Sequence, residues 1–237
     1  MRPNRLRTFA ARTAFGLVVV LGAAWTAQAQ DIKTPYPSMA PIDQYLMERN
    51  AEIALARSAA PESISKDAAV MVLGRNSYET AVEGKNGFVC IVERTWTAPF
   101  DHPEFWNPKN RGPICYNPAA ARSVLPYTFY RTKLALEGLT KPQMLERVKA
   151  AVANKELTTP EPGAMSYMMS REGHLNDKAG HWVPHLMFHI PKTDATSWGA
   201  NLDGSPVLLD PRFMPEPMTT FYVPVRKWSD GTFATPM

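Results

Sequence analysis

Ala68-Ala69-Val70-Met71-Val72-Leu73, then Tyr78-Glu79-Thr80-Ala81-Val82, then Gly84-Lys85-Asn86-Gly87-Phe88-Val89-Cys90-Ile91-Val92 is the stretch that decides the fold. The first run is apolar and short. In the second, Tyr78, Thr80 and Val82 alternate with Glu79 and Glu83, the period-two signature of a strand with one face in water. Proline is absent between Pro61 and Pro99, so nothing removes a ladder donor. Asn86-Gly87 between strand-like runs is a hairpin signal, and the spacing predicts three consecutive antiparallel strands. The third is apolar on both faces, which places it centrally in the sheet.

Working outward, residues 42–57 carry Ile42, Tyr45, Leu46, Ile53 and Ala56 near helical spacing, with Asp43, Glu48 and Arg49 elsewhere, and predict an amphipathic helix. After residue 92 the chain changes character. Pro99, Pro103, Pro108, Pro113 and Pro118 read as a long irregular connection. Asn117 followed by Pro118 is a helix cap and first helical residue, because proline has no N–H to lose there. That helix should run towards Leu136 with a break at Pro126, and Gly138 ends it. Thr140 with Gln143 is a capping-box pattern opening a second helix, whose face of Met144, Leu145, Val148 and Val152 extends to about residue 153. Further strand-like segments occupy residues 164–169, 181–190 and 219–225. Strands, then helices, then strands predict a single α+β domain: an antiparallel sheet of about five to six strands with helices packed on it. Residues 61–237 form that domain, and residues 30–60 a Pro-rich lead and helix before it.

The first 29 residues read as a cleaved secretory signal peptide. Arginines precede an apolar run at residues 15–25, and Ala27-Gln28-Ala29 supplies a small-residue cleavage site. Eleven apolar residues in helix span about 16 Å, too little for a bilayer core of roughly 30 Å. The expected destination is the periplasm or the extracellular space, with no membrane anchoring after cleavage. Arg2, Arg5, Arg7 and Arg12 belong to this segment, so the 26 Lys plus Arg fall to 22 and balance the 22 Asp plus Glu. A neutral chain argues against nucleic acid as partner, because affinity for phosphate backbones comes from excess Lys and Arg. Cys90 and Cys115 are the two cysteines, and an even pair in an oxidising compartment predicts a disulfide. The alternative, a reactive thiol or a metal ligand, has no local support: neither cysteine lies in a Cys-x-x-Cys pair or beside a histidine.

Chemistry concentrates in two places. His181-Trp182-Val183-Pro184-His185-Leu186-Met187-Phe188-His189-Ile190 holds three of the five histidines. Read as a strand, it puts Trp182, Pro184, Leu186, Phe188 and Ile190 on an apolar face, and His181, Val183, His185, Met187 and His189 on the other. Residues four apart on a strand are about 13 Å apart, so these histidines cannot share one ion. Pairs two apart, such as His185 with Met187, are about 6.6 Å apart and could share one with help from a neighbouring strand. Tyr167 and Met169 share a face there, so a copper site of His185, Met187 and Met169 is an alternative to having no cofactor. The plainer alternative is a half-buried strand whose histidines are hydrogen-bonded or solvated. The second place is the loop at residues 96–107, where Asp101 and His102 stand among aromatic rings. Those residues could line a cleft, or cap the sheet edge with rings inward and acids in water. No Gly-x-Ser-x-Gly, His-Glu-x-x-His or phosphate-binding glycine loop occurs.

The phrases Asn86-Gly87-Phe88-x-Cys90, Pro113-Ile114-Cys115 and Pro184-His185-Leu186-Met187-Phe188 resemble those of an uncharacterised family of secreted bacterial proteins. The resemblance spans roughly residues 60–227. It implies export and a shared fold, and it carries no activity and no site residue. The expectation is therefore an exported binding or interaction module for a small molecule or a protein, its ligand site built from His185, Met187, His189, Asp101 and His102. The alternatives are a hydrolase-like enzyme with His185 or His102 as base, and a copper protein.

Overall fold

The computed structural model describes residues 35–212 and 214–234. The expected signal segment lies outside the described residues. Among the described residues no helix is long and apolar enough to cross a membrane.

The protein is a mixed α/β structure built on one sheet of eight strands, two or three more than expected. In chain order these are β1 (Ala69–Leu73), β2 (Tyr78–Val82), β3 (Val89–Glu93), β4 (Gly112–Tyr116), β5 (Met165–Met168), β6 (His185–Pro191), β7 (Leu208–Leu209) and β8 (Met218–Pro224). The order across the sheet is β2-β1-β3-β4-β5-β6-β8-β7. Two strands were invisible to the pattern. The two residues of β7 are too short to show a period, and β4 carries Pro113. Pro113 is tolerated because it pairs with Val92 beyond Cys115 and Tyr116, the two residues of β4 in register with β5.

Six of the seven pairings are antiparallel, and the exception corrects the expected hairpin. β3 runs parallel to β1, with Ala69 opposite Val89 and Val70 opposite Cys90. The Gly84–Gly87 segment therefore does not turn β2 back on itself; it passes under the start of β1. Asp67 accepts the N–H groups of Lys85 and Asn86 there, at 2.7 and 3.3 Å, and a Cβ on Gly84 would stand 2.2 Å from the Ala69 nitrogen. Glycine is required by that close passage of two backbones.

Helices cover both faces. The expected helix over 42–57 is broken: a short 3-10 turn at Ile42–Gln44 precedes α1 (Arg49–Arg57), which Glu48 caps by accepting the N–H groups of Asn50 and Ala51. Leu55, Ala56 and Ala59 at its end pack with Val70, Cys90, Val92 and Cys115 on one sheet face. The lead is part of the same body, since the Tyr45 hydroxyl donates to the Trp106 carbonyl at 2.7 Å. After the single turn α2 (Glu62–Ser65), α3 (Pro118–Ser123), α4 (Leu125–Leu136) and α5 (Lys141–Ala153) cover the opposite face. Their caps are the expected ones: Asn117 accepts from Ala120, the chain breaks at Val124 before Pro126, and Thr140 and Gln143 form the capping box. Cys90 and Cys115 lie in direct register and are joined by a disulfide.

The decisive surprise is β6. His185, Met187 and His189 point inward and are buried, whereas Leu186 and Ile190 are only half-buried and Phe188 is 40% exposed. The face with the apolar sequence is thus the outer one. α1 packs chiefly on β1, β3 and β4, while on the other side Ser166 and Thr220 offer His189 hydroxyl partners.

Candidate functional site

Each candidate side chain has a definite place. His189 is 4% exposed, with Nε2 2.9 Å from the Ser166 hydroxyl and Nδ1 3.1 Å from the Thr220 hydroxyl. Both ring nitrogens are satisfied. The Ser166–His189 pair has the composition of a nucleophile and its base, yet Ser166 is completely buried, so no substrate reaches it. Met187 lies between Ser166 and Tyr222 in the cross-strand row and is core.

Burial drives the His189 imidazole down to about 4, because the charged form is desolvated. The unfolded imidazole titrates near 6.5, so protons favour the unfolded chain below that pH. Stability contributed by neutral His189 is complete above about 6.5 and is lost as the pH falls towards 4, by up to about 3 kcal/mol. His185 and His102 act in the same direction, and Glu93, raised by burial, in the opposite one. In urea unfolding between pH 7 and 4, wild type should lose stability more steeply than His189→Gln; parallel curves would refute the assignment.

The copper alternative drew on His185, Met187 and Met169. Met168, and not Met169, stands opposite His185 in the register. Met169 lies one residue past β5, its N–H bonded to the Ala59 carbonyl. Tyr167 pairs with Leu186 and packs on the opposite face with Phe88. Among the described residues no group of three or more His, Cys, Asp or Glu side chains could hold a metal ion.

In the loop at residues 96–107 the rings of Trp96, Phe100, Phe105 and Trp106 are buried and Asp101 is exposed. Arg131 of α4 anchors it by donating to the carbonyls of Trp96, Thr97 and Ala98, with Glu216 as its counter-charge at 2.6 Å. His102 is buried; its Nδ1 accepts the Glu104 N–H at 3.1 Å, and burial, then Arg212, lower its pKa. Arg212 and Asp210 also act on Tyr222, whose ring centroid is 5.5 Å from that of His185. The His185 ring thus lies beside Tyr222; Met187 and His189 are buried further along β6, and Asp101 is exposed in the loop.

His185 is the chemically open member. Its Nδ1–H donates to the Val183 carbonyl at 2.8 Å, which leaves Nε2 as a lone pair. Burial lowers its pKa and keeps it neutral. That Nε2 is buried without a hydrogen-bond partner among the described residues, and so is Nε1 of Trp182, whose ring centroid is 5.9 Å away.

Glu93 completes the cluster and was missed by sequence reasoning. It ends β3 opposite Gly112. Its Oε1 accepts from the Tyr116 hydroxyl at 2.6 Å and the Thr128 hydroxyl at 2.7 Å, and its Oε2 from Thr97 at 3.2 Å. Burial raises its pKa, more than these hydroxyls lower it, although part of its surface stays open. A carboxyl whose pKa burial perturbs in this way is a candidate functional group. The one sequence signal was a lone acid terminating an otherwise apolar central strand. At Gly112 a Cβ would stand 3.3 Å from Trp182 Cη2, 3.5 Å from Glu93 Cβ and 3.5 Å from Met168 Cε. The missing side chain thus lets the Trp182 indole and the Met168 methyl approach β4 beside the Glu93 Cβ, with the His185 ring next to the indole. Comparison of the chain with known protein families, with curated proteins and with solved structures found no match.

Proposed function

We propose that the protein is a small-molecule binding module acting outside the cytoplasm, its site bounded by Glu93, Gly112, Trp182, His185 and Tyr222. One observation carries this reading: the His185 Nε2 and the Trp182 Nε1 are both buried and both unpartnered among the described residues, 5.9 Å apart by ring centroids. Leaving such an atom unmatched costs about 1–3 kcal/mol, and native proteins leave few. Groups kept at that cost mark a place where another molecule completes the bonding. The Cys90–Cys115 disulfide and the signal-like first 29 residues support export, as does the resemblance to secreted bacterial proteins. The hydrolase reading has less behind it: the lone pair of His185 meets no hydroxyl among the described residues, and the Ser166–His189 pair is sealed.

A fragment library followed by the Trp182 indole N–H resonance tests the proposal. At least one compound should shift that signal with Kd below a millimolar, and His185→Gln should weaken it about tenfold, the worth of roughly one hydrogen bond. A library whose every hit leaves Trp182 unmoved rejects the site.

A further inference from the structure

We infer that His185, Met168 and Met187 form a binding site for one cuprous ion, with the imidazole Nε2 and the two thioether sulfurs as donors. The inference goes beyond the binding reading and shares with it only the His185 lone pair, so the two fail separately. Register sets the three side chains on one face: Met168 of β5 stands directly opposite His185, and Met187 follows His185 two residues along β6. Cβ atoms opposite each other across an antiparallel pair are about 4.5–5.5 Å apart, and residues two apart on a strand about 6.6 Å. Met168 and Met187 are 6% exposed and His185 7%, and both methionines belong to the same core cluster. His185 is prepared as a ligand. A metal-bound histidine donates its other ring N–H to a carbonyl or carboxylate, which fixes the tautomer and leaves the free nitrogen as donor. Here Nδ1–H donates to the Val183 carbonyl at 2.8 Å, and Nε2 is buried without a hydrogen-bond partner among the described residues.

The donor set selects the ion. Thioethers are soft, neutral donors that suit Cu(I), whereas Zn(II) takes thiolate, imidazole or carboxylate and Mg(II) and Ca(II) take oxygen. None of the three donors is an anion, so nothing offsets a second positive charge. The cost of burying an ion rises steeply with its charge, which again favours a monovalent one. Each methionine side chain has three rotatable bonds, so its sulfur can close on an ion held at Nε2 without displacing a strand. The way in lies past Trp182. Its ring centroid is 5.9 Å from that of His185, and its Cη2 and the Met168 Cε come within 3.3 and 3.5 Å of where a Cβ on Gly112 would stand. Trp182 is only half-buried and precedes the first paired residue of β6, so it can swing aside while the sheet stays paired.

Cu(I), supplied under nitrogen as its acetonitrile complex, is titrated into the full chain against the chelator bicinchoninate, with the His185 ring and the Met168 and Met187 methyl resonances followed in parallel. Both cysteines of the chain are held in the disulfide, so no thiol competes. Wild type should bind one ion with Kd below about a micromolar and shift all three side chains. His185→Gln should lose nearly all of that affinity. Met168→Leu and Met187→Leu keep the core filled, and each should weaken binding by about tenfold or more. Zn(II) should bind wild type far more weakly than Cu(I). Cu(I) binding no tighter than micromolar, or binding that leaves the wild-type His185 ring unmoved, overturns the site. Undiminished affinity in either methionine variant, or equal affinity for Zn(II), overturns the thioether donors. Failure with Cu(I) while fragments still shift the Trp182 indole N–H rejects the metal and leaves the binding reading standing; failure of both rejects both.

Discussion

Arg94→Met should lower the free energy of unfolding by about 3–5 kcal/mol, the largest effect expected of any single substitution in this chain. Arg94 and Glu52 are 0% and 1% exposed and meet at 2.9 Å. Arg94 also donates to the carbonyls of Tyr45 and Val92, and Glu52 accepts the Leu73 N–H at 3.1 Å. One pair thus ties the lead, α1, β1 and β3 together. The cost arises because methionine leaves the Glu52 carboxylate buried without a counter-charge, and desolvating an unpaired ion is expensive. The double variant Glu52→Gln/Arg94→Met removes both charges while the amide oxygen introduced at position 52 can still accept the Leu73 N–H, so it should recover much of the loss. Urea unfolding of the single and double variants measures both quantities. A loss below about 1 kcal/mol for Arg94→Met would show that water or local rearrangement replaces the pair.

Removing the disulfide comes next. Cys90→Ala/Cys115→Ala should cost roughly 3 to 4 kcal/mol, mostly by releasing the unfolded chain from a closed loop. The cysteines are separated by 25 positions, and that separation sets the entropy. Both are fully buried beneath α1, so the native bridge should resist reduction until the chain opens. The measurements are the guanidinium unfolding midpoint of the double variant and thiol release from native wild type under mild reductant. A midpoint unchanged within error, or rapid release from the native state, contradicts this account.

How far the fold was legible depends on where the information lies. The openings of α3 and α5 were readable because Asn117-Pro118 and Thr140 with Gln143 satisfy N–H groups within three residues of themselves. The strands β1, β2 and β3 were readable as strands because alternation and β-branching act on each segment separately. Their arrangement was not readable. Asn86-Gly87 suits a hairpin, but the parallel placement of β3 depends on Gly84 slipping past the Ala69 backbone, a contact between segments that no local pattern encodes. The lead up to residue 48 looked helical by spacing, yet Glu48 caps a helix that begins only at Arg49.

The site divides the same way. His185 and His102 were singled out by residue type, and the structure buries both, His185 beside Tyr222. Met169 lies one residue past the partner of His185, Asp101 is exposed, Met187 is core and His189 is hydrogen-bonded at both ring nitrogens. Glu93 enters only because Gly112, Thr97, Tyr116 and Thr128 converge on it from other elements.

By itself, then, the amino-acid sequence determined six of the eight strands, the caps that open α3 and α5 and the pairing of the two cysteines. Those properties depend on neighbours along the chain or on there being only one possible cysteine partner. Tertiary structure alone decided which face of β6 is inside. An apolar face seeks cover, and the cover that α1 supplies lies chiefly over β1, β3 and β4. The histidine face turned inward because Ser166 and Thr220 could satisfy His189 there, and it left His185 with a buried ring nitrogen that still lacks a partner among the described residues.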